Sequence, residues 1–141
     1  MSRSNEADQA AIAAMQAETD RVTALPLAQL AAEVMGKGFG PGGPGGPGQP
    51  GTLEAPTGNA APRTTVGTIA MQFTPAYQAR AVNWDMQAAL NQILAEALQL
   101  LEHAALVRAE AHSNVGGLCY VATRRGRAAL AAGEVERIVG G

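Results

Sequence analysis

Cysteine occurs once, at Cys119, so no intrachain disulfide can form and no metal cluster can be assembled on thiolates. Aromatic residues make up only 4% of the 141 positions. The core must therefore rest on Leu, Ile, Val, Met and Ala, a mixture that favours helices. Charge of neither sign dominates: the formal net charge is −2, which gives no global pull toward nucleic acid and requires any basic footprint to be local. No apolar run approaches the ~20 residues that a membrane-spanning helix needs. The opening residues, Met1 to Asp8, carry acids and lack the basic start and apolar block of a secretory signal. A cytoplasmic protein with no membrane association is the expectation. His103 and His112 match no metal-ligand spacing, so no metal is expected. There are no paired carboxylates, no nucleophile–base set and no cofactor fingerprint. The chain is therefore read as a non-enzyme without a cofactor.

What is present is helical patterning, 47% hydrophobic residues and one strong break in composition. The length suits one compact domain plus appendages. Residues 1–39 read as an N-terminal helical arm. Glu6 to Arg21 form a first helix, with Ala10, Ala13, Ala14 and Ala17 along one side. Leu25 and Pro26 interrupt it, and Leu27, Leu30, Ala31 and Val34 recur at helical spacing up to Met35. Gly36 and Gly38 are expected to end this second helix. Residues 40–63 read as a Gly/Pro-rich flexible linker that opens with three Gly-Pro-Gly triplets, at Gly40, Gly43 and Gly46.

Residues 64–141 form the second module. Thr65 to Phe73 alternates like a strand, with Ile69, Met71 and Phe73 on one face. Thr74 and Pro75 open a helix to about Val82, and Asn83 caps a long helix from Trp84 to roughly Ala105. Trp84 is expected to anchor that helix against the core. Leu106 to Glu110 and Gly117 to Ala122 pair as a hairpin whose tip runs from His112 to Gly117, with Cys119 a buried thiol. Thr123 caps a terminal helix through Val139. The long helix carries two adjoining apolar stripes, a face wider than one contact needs. It is expected to seat a homodimer through Met86, Leu90, Ile93, Leu94, Leu98 and Leu101. An alternative is one unbroken helix from Pro75 to Ala105, which would leave no helix-turn-helix.

Leu100, Leu101 and Glu102 followed by Leu106, Val107 and Arg108, then Tyr120, Thr123, Gly126, Arg127 and Leu130, are similar to a pattern in MarR-like and PadR-like bacterial regulators. There the first run ends a recognition helix and starts a wing, and the second closes the wing. The resemblance covers roughly Thr74 to Leu130. It implies a mainly α fold with a small β-hairpin, a winged helix-turn-helix module preceded by the helical arm. It further implies that Gln87, Asn91 and Gln92 face base edges, where amides suit adenine. Arg108, Arg124, Arg125 and the hairpin-tip residues Ser113 and Asn114 would meet the phosphates of double-stranded DNA.

From Asp85 to Ala105, however, there is no Lys or Arg, while Asp85, Glu96 and Glu102 are acidic. Phosphate neutralisation, the main source of DNA affinity, would fall to Arg80, Arg108, Arg124, Arg125 and Arg127. The expectation is a dimeric DNA-binding transcriptional regulator or accessory factor. The alternative is a winged-helix protein-interaction adaptor or assembly subunit that does not bind DNA.

Overall fold

The structure, a computed structural model, describes residues 2–46, 62–112 and 117–140. The fold is mainly helical with a small two-stranded antiparallel hairpin. Two long helices come first, α1 (Ser2–Ala24) and α2 (Leu27–Phe39). Then follow α3 (Val66–Phe73), a single 3-10 turn (Pro75–Gln78) and the long α4 (Trp84–His103). The hairpin, β1 (Val107–His112) and β2 (Gly117–Ala122), precedes α5 (Arg124–Ala132) and α6 (Val135–Gly140). No helix among the described residues is long and apolar enough to cross a membrane.

Helix α2 lies at the centre. It packs most extensively on α4, then on α6 and α3, and buries Leu30, Ala31, Val34, Met35 and Phe39. One hydrophobic cluster joins Met15 and Val22 of α1, these α2 residues, the α4 leucines and Val135 of α6. The first helices are therefore part of the core and not an appended arm. Helix α2 also runs past the glycines expected to end it. Gly38 is a point of close approach: a Cβ there would stand 3.2 Å from Ile69 Cγ1. Phe39, buried beyond it, gives the helix a reason to continue.

The expected linker starts with ordered turns. The amide of Gly45 donates to the Gly38 carbonyl at 2.7 Å and that of Gly43 to Gly40 at 2.9 Å, with Gly42 at φ +84°. Residues 47–61 lie outside the described residues. At Arg63 and Thr64 the chain is again fixed: Thr64 and Tyr120 exchange two backbone hydrogen bonds, 3.1 and 2.8 Å, which lays a third extended segment beside β2.

The segment expected as a strand is α3. The Thr65 hydroxyl accepts the Thr68 amide at 3.2 Å, a side-chain cap that starts a helix. Ile69, Ala70 and Phe73 then share one buried side at helical spacing, whereas Met71 does not join them. The alternation in sequence was coincidental, and strand propensity yielded to the cap and to packing on α2 and α4. The helix expected from Pro75 to Val82 shrinks to one 3-10 turn, capped by Thr74. Asn83, whose Oδ1 accepts the Met86 amide at 2.9 Å, starts α4 afresh. That break excludes a continuous helix from Pro75 to Ala105.

The hairpin register runs from Val107 opposite Ala122 to His112 opposite Gly117. Two turns frame it. Ala105, at φ +63°, ends α4 in a left-handed residue, and the Leu106 amide reaches back to the Leu101 carbonyl at 2.9 Å. On the far side, the Thr123 hydroxyl donates to the Ala105 carbonyl at 2.6 Å and accepts the Gly126 amide at 2.9 Å. One threonine thus caps α5 and closes the base of the hairpin. The terminal helix, expected to be continuous, divides at Gly133, whose φ of +68° suits glycine.

Gly126 is the tightest point: a Cβ there would collide with the Leu106 carbonyl oxygen and meet Met35 Cε at 2.9 Å. Gly126→Ala is expected to cost at least ~2 kcal/mol, the upper part of the usual range for overpacking, because the atom it would meet is backbone. Urea unfolding followed by circular dichroism checks this; an unchanged midpoint would mean that α5 shifts freely.

Candidate partner-binding surface

Helix α4 presents three distinct sides. Its inner side, Leu90, Leu94, Ala97, Leu98 and Leu101, is fully buried within this chain. Four of the six residues expected to seat a homodimer, Leu90, Leu94, Leu98 and Leu101, are consumed in this way. Met86 and Ile93 are half-buried and packed against the same core. The width of the apolar face is explained by helices from both halves of the chain: α4 is covered by α1, α2 and α3. A dimer cannot use those leucines without unfolding the monomer.

A second side holds the 3-10 turn. Gln87 Nε2 donates to the Tyr77 carbonyl at 2.7 Å, and Asn91 Nδ2 donates to the Tyr77 hydroxyl at 2.9 Å. Gly67 gives Tyr77 room, since a Cβ there would stand 3.3 Å from the hydroxyl. Two of the three amides expected to read bases thus position Tyr77. Only Gln92 is exposed. Sequence alone suggested amides on a polar flank; it gave no sign that a tyrosine ten residues earlier folds back onto them.

The third side faces solvent: Asp85, Ala89, Gln92, Glu96, Gln99 and His103 are all exposed. It carries two carboxylates and no cation. Two shallow clefts run along it. One, of about 260 Å³, is lined by Gln16 and Thr19 of α1 with Asn83, Asp85, Met86 and Ala89. The other, of about 350 Å³, is lined by Leu27, Glu96, Gln99, Leu100 and His103. Trp84, expected to anchor the core, is instead 75% exposed at the start of α4. The sequence held a clue to this. One turn on, Trp84 aligns with Gln87 and Ala88, whereas the buried stripe begins from Met86.

The arginines divide similarly. Arg63, with its side chain only 8% exposed, pairs with Glu110 at 3.0 Å, and Arg108 shares that carboxylate at 3.2 Å. The Arg63 bond foremost, helped by Arg108, holds the Glu110 carboxyl below its ordinary value of 4.5. Arg127 donates to the Ala122 carbonyl at 2.9 Å. Arg124 and Arg125 are exposed and form no ion pair among the described residues. Ser113 and Asn114 lie outside the described residues. Tyr120 is half-buried against the core, and burial pushes its phenol above the ordinary range, with Glu102 adding to the shift. Cys119 is buried, its thiol donating to the Glu110 carbonyl at 3.4 Å.

No family model matches the chain, and no curated protein or solved structure is detectably similar to it.

Two predictions follow from this geometry. Tyr77→Phe removes the acceptor for Asn91, whose Oδ1 is already buried without a partner, and should cost about 1–2 kcal/mol. Combining it with Asn91→Leu removes both orphaned ends and should recover most of that loss in denaturant titrations. For Glu110 the folded-state pKa is depressed, so its stabilising contribution is present above pH 4.5 and is lost as pH falls through the lower folded value. Wild type and Glu110→Gln should differ in thermal midpoint at neutral pH and converge in acid. A constant gap across pH would exclude the ion pair as its source.

Proposed function

We propose that this chain is a winged-helix-like module that binds another protein through the solvent side of α4, in the cytoplasm, and does not read DNA with that helix. The observation that carries the reading is the makeup of this side: Asp85 and Glu96 with no cation, flanked by two partly apolar clefts. Against a polyanion those carboxylates repel, and the affinity that DNA binders draw from neutralised phosphates has no source on this helix. Against a protein they are ordinary rim charges around half-buried Met86 and Leu100. The internal use of Gln87 and Asn91 supports the same reading, because base contact would require them to release Tyr77.

A second reading has its own support. Arg124 and Arg125 stand exposed beside the hairpin without ion pairs among the described residues, with Arg108 exposed on β1. These are suitable phosphate contacts. They supply a non-specific, salt-sensitive attraction and no means of reading sequence.

The two readings separate experimentally. In filter binding with genomic fragments, the protein reading predicts no retention at about 150 mM salt. Retention that vanishes in the Arg124→Ala, Arg125→Ala double variant would establish the DNA reading instead. In co-purification from the source cells, Glu96→Arg should lose the protein partner that wild type retains, with the thermal midpoint unchanged because Glu96 is exposed.

A further inference from the structure

The outer side of α4 is bordered by a row of apolar side chains that the chain itself covers only in part. Met86, Ile93 and Leu100 are each half-buried and stand seven residues apart. Seven residues are nearly two full turns, so the three lie in one line along the helix, about 10 Å from one to the next. Met86 lines the first cleft and Leu100 the second, where Leu27 of α2, 42% exposed, adds another apolar wall. Ile93 lies midway between them. A seven-residue repeat of apolar positions is the pattern on which a second helix packs, because 3.5 residues per turn keeps such a seam facing its neighbour. The two clefts thus mark the ends of one seam of a length that suits a helix.

Charge selects the occupant. The residues lining the two clefts include the carboxylates of Asp85 and Glu96 and no lysine or arginine. Asp85 directly precedes Met86, and Glu96 stands one turn after Ile93. Neither carboxylate forms an ion pair among the described residues. A second copy of this seam would set carboxylates against carboxylates with no cation between them, so charge opposes self-pairing here. We propose that the seam receives an amphipathic basic helix of another protein. Its apolar residues, seven apart, would lie over Met86, Ile93 and Leu100, and lysine or arginine beside them would meet Asp85 and Glu96. Long cationic side chains suit the site, since their aliphatic stems lie along an apolar wall while the charge reaches out to the carboxylate. The inference rests on the reading of the solvent side of α4 as a protein-binding surface and gives that partner its chemistry.

The probe is a synthetic helix of three heptads with leucine at every seventh position and lysine beside each leucine, compared with the same helix carrying glutamate for lysine. Titrated into the full chain and followed by NMR, the lysine helix should bind with a Kd of about 10–100 μM at low salt and shift the signals of Leu27, Met86, Ile93 and Leu100. Its affinity should fall as salt screens the pairs. The glutamate helix should bind at least ~30-fold more weakly. Asp85→Lys combined with Glu96→Lys should reverse that preference, and a reversal does not arise from misfolding; both positions are exposed. Asp8→Lys, exposed two turns before the cleft residue Gln16, should leave the preference unchanged, which separates the seam from overall acidity. Leu27→Gln should weaken the lysine helix by about 5-fold. Equal affinity for the two helices, signal shifts away from the seam, or no binding of the lysine helix below about 1 mM overturns the inference. If the inference falls in this way while Glu96→Arg still releases the co-purified partner, the broader protein-binding reading stands; if Glu96→Arg releases nothing, both fall.

Discussion

The leucine stripe of α4 sealed against α2 is the contact on which the other elements depend. Leu90, Leu94, Leu98 and Leu101 are fully excluded from water, each contributing on the order of 1.5–3 kcal/mol by burial. With this side fixed, the remaining two sides of α4 have determined roles. One holds Tyr77 and hence the 3-10 turn; the other faces solvent. The hairpin follows from the same placement, because Leu106, directly after α4, is buried and its carbonyl lies over Gly126 of α5. Helix α2 is in turn held by α6 and α3, so the central pair links the chain's earliest and latest segments.

The parts of this arrangement legible in the sequence are those with local chemical signals. Asn83 and Thr123 are side-chain caps that need no tertiary partner to be recognised, and both start helices where expected. The hairpin strands were legible to within two residues, the second at its observed bounds. The errors share a physical origin. Thr65 to Phe73 fits a strand by alternation and a helix by its cap, and the choice is made by the helices it meets. Gly36 and Gly38 resemble terminators, yet Gly38 is a contact surface for Ile69, which only the fold reveals. The breadth of α4's apolar face was plain from sequence. Whether a second chain or the first helices would cover it was not, because the Gly/Pro-rich stretch looked like a boundary between independent parts.

Charge is used sparingly and mostly internally. Arg21 bridges Glu18 on its own helix and Glu33 on α2, and these bonds raise its already high pKa further. Being largely exposed, that bridge orients α1 on α2 more than it stabilises them. Arg63, Glu110 and Arg108 serve similarly at the hairpin, where buried Arg63 ties the segment entering α3 to β1. Once these pairs are set aside, the solvent side of α4 keeps its carboxylates and the hairpin base keeps two arginines. The molecule is thus divided between an acidic, partly apolar face and a small basic corner, although its overall charge is close to neutral.

The central position of α2 also has a consequence during synthesis. This helix is made before α4 and α6, which cover most of its apolar surface and follow it by some 50 to 110 residues. At roughly 5–20 residues per second, Leu30, Val34, Met35 and Phe39 stay uncovered for several seconds. During that interval the apolar side of α2 has no partner from α4 or α6.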